Sequence, residues 1–399
     1  MKDKILTLLI ISLFTSLSFA DNENFDGQDV SGQNFSNKSL NNSSWIGTTA
    51  VGTNYSSSKL TSANFTNANL TSASFQWATL NGANFTNAII KGVDFSKLYD
   101  YSVYYSDVIS ATQLYSTKSY KDKNLSGVNL SYNTLSNWDF SGQNLTNANF
   151  YNYQRLTDLT RANFTNANLT NVKFSSVTLT SANFRNADLR GANMKSTRGV
   201  YTTKNTIMAD GKIQSFSMAS SADNFSIRKY TPATEGGVTI SAKFASDSAV
   251  SGDATLTLEQ GAEVEVIDTA VLSFGAESTL AIYTDINGTS ASSIGDNAGL
   301  TFEDGATVSV NLEGVFDSSL PYVFSILNWG DNSNVEGLLN LVKGDTLLLL
   351  INGVLFSGEW DYAITNNVLQ ISMNVPEPAT YAAVFGALAL GLAVARRRR

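Results

Sequence analysis

Arg185, Asp188 and Arg190 are the charged residues that come closest to a catalytic arrangement, since they fall on neighbouring positions that we expect to face outward. A carboxylate among cations in one groove is suited to acid–base chemistry on polysaccharides. The spacing of these residues fits a solvated surface pair equally well, and such a pair is the commoner arrangement.

The 399-residue chain contains neither histidine nor cysteine. The bases and ligands of Ser-His-Asp hydrolases, Cys-His proteases and zinc fingers are therefore missing, and we expect no enzyme, no cofactor and no metal site.

The C-terminal segment combines a short motif with a span and a charge cluster. Pro376, Glu377 and Pro378 precede the charge-free stretch 379–395, after which come Arg396, Arg397, Arg398 and Arg399. As a transmembrane helix, 379–395 would be roughly 25 Å long, just enough for a thin bilayer core. The arginines would stay cytoplasmic and leave the rest of the chain outside. A plain tail anchor is the alternative, but it has no use for the Pro-Glu-Pro triplet.

Residues 1–20 have the three parts of a secretory signal peptide: a short charged start, an apolar stretch and small residues at the end. Cleavage is expected between Ala20 and Asp21. We expect export by the Sec machinery, and the alternative of a buried N-terminal helix fits the final residues less well.

A five-residue period fills the first half of the chain. Large apolar or aromatic residues occupy nearly every fifth position from Phe25 to Phe95, and again from Leu125 to Phe150 and from Leu159 to Met194. A period this short is typical of a solenoid and fits neither a helix nor a long strand. We call these large residues the centres of the pentads. Ala precedes many centres by two positions, so each pentad is predicted to point one small and one large side chain inward. If four pentads form one coil, Phe stacks on Phe and Leu on Leu.

The pentads Ala-Asn-Phe-Thr-Asn at 63–67 and Ala-Asp-Leu-Arg-Gly at 187–191 resemble the pentapeptide-repeat family. The resemblance implies a right-handed, four-sided β-helix. Before Thr61, four long polar residues replace the small inward residue, so the first coils are expected to be irregular or to form a cap. These residues are Glu23, Gln28, Gln33 and Lys38.

The tail in turn resembles the PEP-CTERM sorting signal of bacterial envelope proteins. This resemblance implies that an exosortase recognises Pro376, Glu377 and Pro378, cleaves nearby and releases or transfers the protein beyond the inner membrane. The membrane anchor would then be transient. The resemblance also implies an association with exopolysaccharide and biofilm.

A tyrosine-rich interruption separates the pentads at 97–123, where Ser110 is a candidate N-cap of one or two helical turns. The interruption could bind a sugar or a partner, but packing against a coil is the commoner role of aromatic residues.

The five-residue period ends after about residue 195. From there to about residue 237 we expect a connecting region, in which Pro232 and Gly236-Gly237 break the pattern.

The second half differs in charge and pattern. Residues 21–229 carry a net charge of +5 and residues 230–375 one of −17. Short stretches that alternate polar and apolar residues predict half-buried strands, arranged as a sandwich or as a looser solenoid. The acidic residues are scattered, which favours a solvated face over a calcium loop, with weak cation binding as the alternative.

The sequence thus predicts an all-β protein with five parts. These are the signal peptide 1–20, a pentapeptide-repeat β-helix over 21–195, a connecting region at 196–237, an acidic β-rich domain over 238–374 and a sorting signal at 375–399 with its transmembrane helix at 379–395.

The favoured function is that of an exported structural or interaction protein, with possible end-to-end self-association through the exposed ends of the β-helix. A gyrase-interacting DNA mimic is one alternative, which the positive repeat region and the export signal oppose, so we expect no nucleic-acid partner. A β-helical carbohydrate-active enzyme is the other alternative.

Overall fold

The computed structural model describes most of the chain from Asp21 onward, which folds into two compact units. The first unit runs to Asp210 and includes 232–238, and the second comprises the remainder from Gly211 onward. The described residues are 21–97, 108–151, 157–214, 216–220, 224–234, 238–268, 270–285, 293–294, 299–304, 306–313, 321–329, 334–336, 347–356, 360–365 and 368–374.

The first unit is a solenoid whose coils contain 20 residues each. Most pentads form one parallel β-bridge to the pentad 20 residues later, as in Asn24↔Ser44 and Asp29↔Thr49. The backbone N–H of each centre donates to the next coil, as Phe25 does to the Ser44 carbonyl at 2.8 Å. The first coils are regular, so the expectation of irregularity before Thr61 is wrong, and the possibility of a cap is the one that remains.

Corners form because most residues after the centres tolerate a left-handed backbone. The second residue after a centre has a positive φ in most coils and is usually Asn, Gly or Ser, for example Asn67 at 60°. The residue before each centre fixes the same corner with its side chain, as when Asn64 Oδ1 accepts the Thr66 N–H at 3.1 Å. The polar residues of the pentad thus build the turns.

Stacked side chains fill the core, as the spacing predicts. Phe65 and Phe85 lie 5.2 Å apart with an interplanar angle of 8°, and Phe65 meets Phe75 edge to face at 5.4 Å. Each such aromatic pair contributes about 0.5–1.5 kcal/mol beyond the area it buries. Periodic stacking of identical rings therefore holds successive coils in register.

Two insertions lengthen individual coils. The bridge Asp94↔Asn129 spans 35 residues and the bridge Thr134↔Asp158 spans 24. The first insertion contains helix α1 (Ala111–Ser116) and helix α2 (Lys118–Lys121). Ser110 caps α1 through a capping box with Gln113, which confirms the predicted N-cap.

Short strands carry the solenoid beyond the last pentad, through the residues predicted to connect the two halves. Thr202 and Ile207 bridge back to Asn183 and Asp188. The strands up to residue 227 are β1 (Thr157–Asp158), β2 (Val177–Thr178), β3 (Thr206–Ile207), β4 (Ile213–Gln214), β5 (Ser217–Met218) and β6 (Phe225–Ile227). Of these, β4, β5 and β6 belong to the second unit.

The second unit is built from longer strands. They are β7 (Ala242–Phe244), β8 (Ser248–Val250), β9 (Thr255–Leu258), β10 (Val264–Val266), β11 (Val271–Phe274), β12 (Thr279–Asp285), β13 (Ser293–Ile294), β14 (Gly299–Phe302), β15 (Thr307–Glu313), β16 (Pro321–Trp329), β17 (Asn334–Glu336), β18 (Leu347–Ile351), β19 (Val354–Leu355), β20 (Trp360–Thr365) and β21 (Val368–Asn374).

Three sheets arrange these strands as a second solenoid. Their orders are β20-β21-β16-β13-β10-β7, β17-β14-β11-β8-β5 and β19-β18-β15-β12-β9-β6. Neighbouring coils pair in parallel, which selects the solenoid over the sandwich, and Leu256, Leu280 and Val308 stack in register. At the C-terminal end the pairing becomes antiparallel, between β16 and β21, β20 and β21, and β18 and β19.

The protein is all-β with very little helix. The two helices within the described ranges contain 6 and 4 residues, and neither has the length and apolarity to cross a bilayer. The segments predicted as signal peptide and transmembrane helix, 1–20 and 379–395, lie outside the described residues.

Candidate functional site

The predicted cluster of Arg185, Asp188 and Arg190 does not form an outward-facing catalytic groove. Asp188 and Arg190 are buried, with relative exposures of 1% and 0%. The Arg190 guanidinium donates to both Asp188 carboxylate oxygens, from Nε to Oδ1 at 3.0 Å and from Nη2 to Oδ2 at 2.6 Å. Arg185 is half-buried. The expectation that these residues face solvent is therefore wrong for Asp188 and Arg190.

The pair lies within the stack of coils and not at its end. Ile207 bridges Asp188 in parallel, and the Leu189 N–H donates to the Ile207 carbonyl at 2.7 Å. The solenoid thus continues past the pair, and each charged group finds its partner inside. A buried guanidinium that is bound bidentately to a carboxylate fixes local structure and is not available to an incoming substrate.

Asp21, on the C-terminal side of the predicted cleavage point, is part of the first coil. Its carboxylate accepts hydrogen bonds from Ser39 Oγ at 2.7 Å and from the backbone and side chain of Asn41 at 3.0 and 3.1 Å. These bonds, led by the one from Ser39, lower the pKa of the Asp21 carboxyl. Ala20 lies outside the described residues, as do the motif residues Pro376, Glu377 and Pro378 and the arginines Arg396, Arg397, Arg398 and Arg399.

The helical insertion packs its tyrosines against the solenoid. Tyr115 and Tyr120 have ring centroids 4.6 Å apart, and Trp138 lies edge-on to Tyr115 at 6.2 Å. The Asp139 N–H donates to the Tyr115 hydroxyl at 2.7 Å, and the Tyr120 hydroxyl donates to the Asp139 carbonyl at 3.0 Å. Burial raises the pKa of Tyr115 and raises that of Tyr120 to about 12.

These contacts favour a packing role over sugar or partner binding for Tyr115 and Tyr120. The other tyrosines of the interruption that entered the prediction, Tyr99, Tyr101, Tyr104 and Tyr105, lie outside the described residues.

An open groove of about 740 Å³ runs beside α1. One wall is formed by residues 80–86 and the other by residues 108–113, with Trp138 also lining it. Gln113 crosses between the walls, because its Nε2 donates to the Leu80 and Ala83 carbonyls at 2.7 and 3.0 Å. None of the described residues that line this groove is titratable, so they offer no acid or base.

The carboxylates of the second unit are dispersed over its surface. Among the residues that the structure describes there, and in the first unit alike, no three carboxylates converge in a way that could hold a metal ion. The contacts that they do make are local, such as the 3.7 Å approach of Arg228 Nε to Glu259 Oε1.

One corner of the first solenoid carries aromatic residues that the repeat does not require. Trp77 and Tyr132 both take the second position after a centre, with φ values of 63° and 67°. Asn37, Ser57, Ser176 and Ser196 occupy this same corner in other coils. Trp77 is 41% exposed and Tyr132 is half-buried. Sequence reasoning missed this pair, although an aromatic residue at a position that favours Asn, Ser and Gly is a readable signal.

Two family models match the chain. The family model for pentapeptide repeats matches residues 58–96, 124–152 and 157–195 in 8 copies. The model for the PEP-CTERM protein-sorting motif matches residues 374–399. No curated protein matches the chain at a significant level.

Several solved structures are similar to part of the chain. HetL, a pentapeptide-repeat protein involved in heterocyst differentiation regulation in the cyanobacterium Nostoc sp., is 18% identical over 52% of this chain and 98% of its own, with a TM-score of 0.16. A pentapeptide-repeat protein of the Arabidopsis thaliana thylakoid lumen is 23% identical over 38% and 68%, with a TM-score of 0.14.

QnrB1, a plasmid-mediated fluoroquinolone resistance protein, is 18% identical over 46% of this chain and 92% of its own, with a TM-score of 0.19. The repeats and the tail are thus identified by the family models, in agreement with the residues that predicted them. The chain carries pentapeptide repeats and ends in a PEP-CTERM sorting motif.

Proposed function

We propose that the protein is exported, processed at its tail by an exosortase, and acts outside the inner membrane as a structural and interaction protein of an exopolysaccharide matrix or biofilm. The PEP-CTERM motif at 374–399 is the observation that carries this proposal. According to this proposal, residues 1–20 direct export through the Sec machinery, and the helix at 379–395 anchors the chain in the inner membrane only until cleavage near Pro376, Glu377 and Pro378.

Asp21, the residue after the proposed cleavage point, makes contacts of the same kind as later residues of the repeat. The Asp21 carboxylate binds residues one coil later, just as Asp26 Oδ1 accepts the Ile46 N–H at 2.7 Å. The residue that cleavage would make the N-terminus is thus held by the coil that follows it. A signal peptidase needs an extended segment at its cut, so we expect cleavage to precede folding of the first coil.

The outer surface of the first unit supports a role in binding without catalysis. Its pentads, which we infer to form a right-handed, four-sided β-helix, present Asn, Ser and Thr side chains that are held by one another. Thr66 Oγ1 donates to Asn64 Oδ1 at 2.6 Å, and Asn84 Nδ2 in the next coil donates to Thr66 Oγ1 at 3.0 Å. Such neutral, preorganised donors and acceptors suit the hydroxyl groups of polysaccharides.

Neither alternative function gains support from the described residues. The enzyme hypothesis relied on Asp188 and Arg190, which are buried against each other. The DNA-mimic hypothesis requires an acidic rod, whereas residues 21–229 carry a net charge of +5. We therefore propose no nucleic-acid partner and no catalytic activity.

End-to-end self-association would require uncovered ends. The first coil carries long polar side chains where later coils have a small buried residue, among them the exposed Gln28, whose Nε2 donates to the Asn24 carbonyl at 3.1 Å. Charged and polar side chains along a sheet edge oppose pairing with another chain. These side chains therefore oppose stacking of a second copy on the first coil.

The sorting step is tested by replacing the motif in the full chain. A P376A/P378A variant is expected to accumulate as a full-length species in the membrane fraction, while the wild type reaches the cell surface or medium in shortened form. Asp361→Asn, an exposed substitution in β20, is the control and should leave sorting unchanged. Normal release of the P376A/P378A variant would contradict the proposal.

A further inference from the structure

We infer that Trp77 and Tyr132 form a stacking ridge for an extended, β-1,4-linked polysaccharide, an inference that rests on the proposed function and names the site and the ligand class. Trp77 and Tyr132 are the only aromatic residues with a positive φ among the residues that the structure describes. Both occupy one corner of one solenoid.

Backbone conformation shows that the fold does not itself call for these side chains. A bulky residue in the left-handed region costs roughly 1–2 kcal/mol relative to glycine. Asn and Ser occupy the same corner in other coils at φ values of 56–60°. The chain therefore accepts strain at two places on one corner and gains no buried core there, since Trp77 is 41% exposed. Strain that is retained at an exposed residue is typical of binding sites.

The register fixes the spacing of the two rings along the solenoid. Trp77 N–H donates to the Ser96 carbonyl at 3.2 Å, and Lys97 N–H donates to the Ser131 carbonyl at 3.2 Å. Lys97 thus occupies the corner one coil after Trp77, and Tyr132 occupies it one coil after Lys97. Two strand spacings separate the aromatic residues by about 10 Å. Two sugar rings of an extended β-1,4-linked chain cover about that length, so alternate rings would meet Trp77 and Tyr132.

The polar groups that flank the two corner positions are hydrogen-bonded to one another, and Ser96 and Ser131 are buried. Gln76 Nε2 donates to Ser96 Oγ at 3.3 Å, and Ser131 Oγ donates to Asn129 Oδ1 at 2.7 Å. The nearby Asp94 carboxylate accepts the Ser96 N–H at 2.7 Å. The ridge would therefore bind the sugar through the faces of its two aromatic rings, on which the apolar face of a pyranose packs.

The test uses the full chain and cellohexaose as the probe, with maltohexaose, whose α-1,4 linkage curves the chain, as the comparison ligand. We expect calorimetry to show tighter binding of cellohexaose than of maltohexaose. Trp77→Asn should weaken cellohexaose binding about tenfold, the effect of one stacking contact of roughly 1.4 kcal/mol. The W77N/Y132N double variant should show no measurable binding.

Asparagine separates binding from folding in this test, because it already occupies this corner at Asn37. W77N should melt at the wild-type temperature or above it. Ile46→Asn is the matched control, since Ile46 is 40% exposed at another corner, and it should leave cellohexaose binding unchanged.

Three results would overturn the inference: no cellohexaose binding by the wild type, equal binding by W77N, or a change of molecular mass in W77N that shows the corner to be a contact between copies of the chain. Export of W77N is expected to be normal. Loss of binding with normal export therefore concerns this site alone, whereas failed tail processing with intact binding would contradict only the proposed function.

Discussion

The hydroxyl of Tyr115 lies 2.7 Å from the backbone nitrogen of Asp139 and accepts its hydrogen bond. In an uninterrupted pentad the equivalent N–H donates to a carbonyl of the preceding coil, as Asn163 does to Trp138 at 2.9 Å. A side chain of the helical insertion therefore substitutes for a backbone acceptor. The Tyr120 hydroxyl likewise takes the place of the backbone N–H that would otherwise donate to the Asp139 carbonyl.

Removing the Tyr115 hydroxyl should therefore destabilise the first solenoid. Tyr115→Phe leaves the Asp139 N–H without its acceptor, and we expect a loss of about 1–3 kcal/mol in the free energy of unfolding. Tyr201→Phe is the control, because the Tyr201 ring packs on Phe184 and its hydroxyl makes no hydrogen bond with a described residue. Denaturant unfolding measures the free energy of unfolding of both variants. Equal stability of the two would show that the Tyr115 hydroxyl does not act in place of a backbone acceptor.

The two tyrosines should also make stability depend on pH in the alkaline range. The folded-state pKa of Tyr120 is raised to about 12, above its ordinary value of 10.0. The unfolded chain therefore loses this proton first, and the free energy of unfolding should fall as pH rises from 10 towards 12. Tyr120→Phe should flatten this dependence. An unchanged slope in thermal melts across this range would show that Tyr120 titrates normally.

The buried pair of Asp188 and Arg190 should matter for stability and not for catalysis. Asp188→Asn removes the carboxylate partner of a buried guanidinium and should cost about 3–5 kcal/mol of stability. Lys118 and Asp122 are the matched control: their ion pair is about half exposed, and Asp122→Asn should change stability by roughly 0.5 kcal/mol or less. Comparable effects of the two substitutions would mean that Asp188 is not buried in the folded protein.

The pentapeptide core could be predicted closely because period and geometry agree. One large residue in five repeats with the coil, so Phe65 lies over Phe85 wherever the chain keeps four pentads per coil. The same regularity misled the interpretation of Asp188 and Arg190. They obey the outward pattern, and the repeat by itself does not show that they are buried.

The second solenoid was harder to recognise because its coils differ in length. Thr255, Thr279 and Thr307 stack in one sheet although 24 and 28 residues separate them. No constant period therefore reveals the stacking. Alternation of polar and apolar residues predicted strands such as β9 and β15, but alternation is the same in a sandwich and in a solenoid.

The first coil should lose stability in acid. Hydrogen bonds from Ser39 and Asn41 hold the pKa of Asp21 below its ordinary value of 3.8. Its contribution is therefore present above that value and is lost as pH falls through the folded-state pKa. Ser39→Ala should reduce the difference between melting temperatures at pH 7 and pH 3. If Ser39→Ala showed the same difference between these two melting temperatures as the wild type, the Ser39 hydrogen bond would not stabilise the ionised Asp21 carboxylate.

The central claim is that the chain is cut at both ends and acts outside the inner membrane. Intact-mass and terminal-peptide mass spectrometry of the protein from native cells, with membrane and extracellular fractions analysed separately, tests this most directly. We predict a surface or medium species that begins at Asp21 and ends near Pro376. A full-length cytoplasmic species that retains Met1 and Arg399 would contradict the claim.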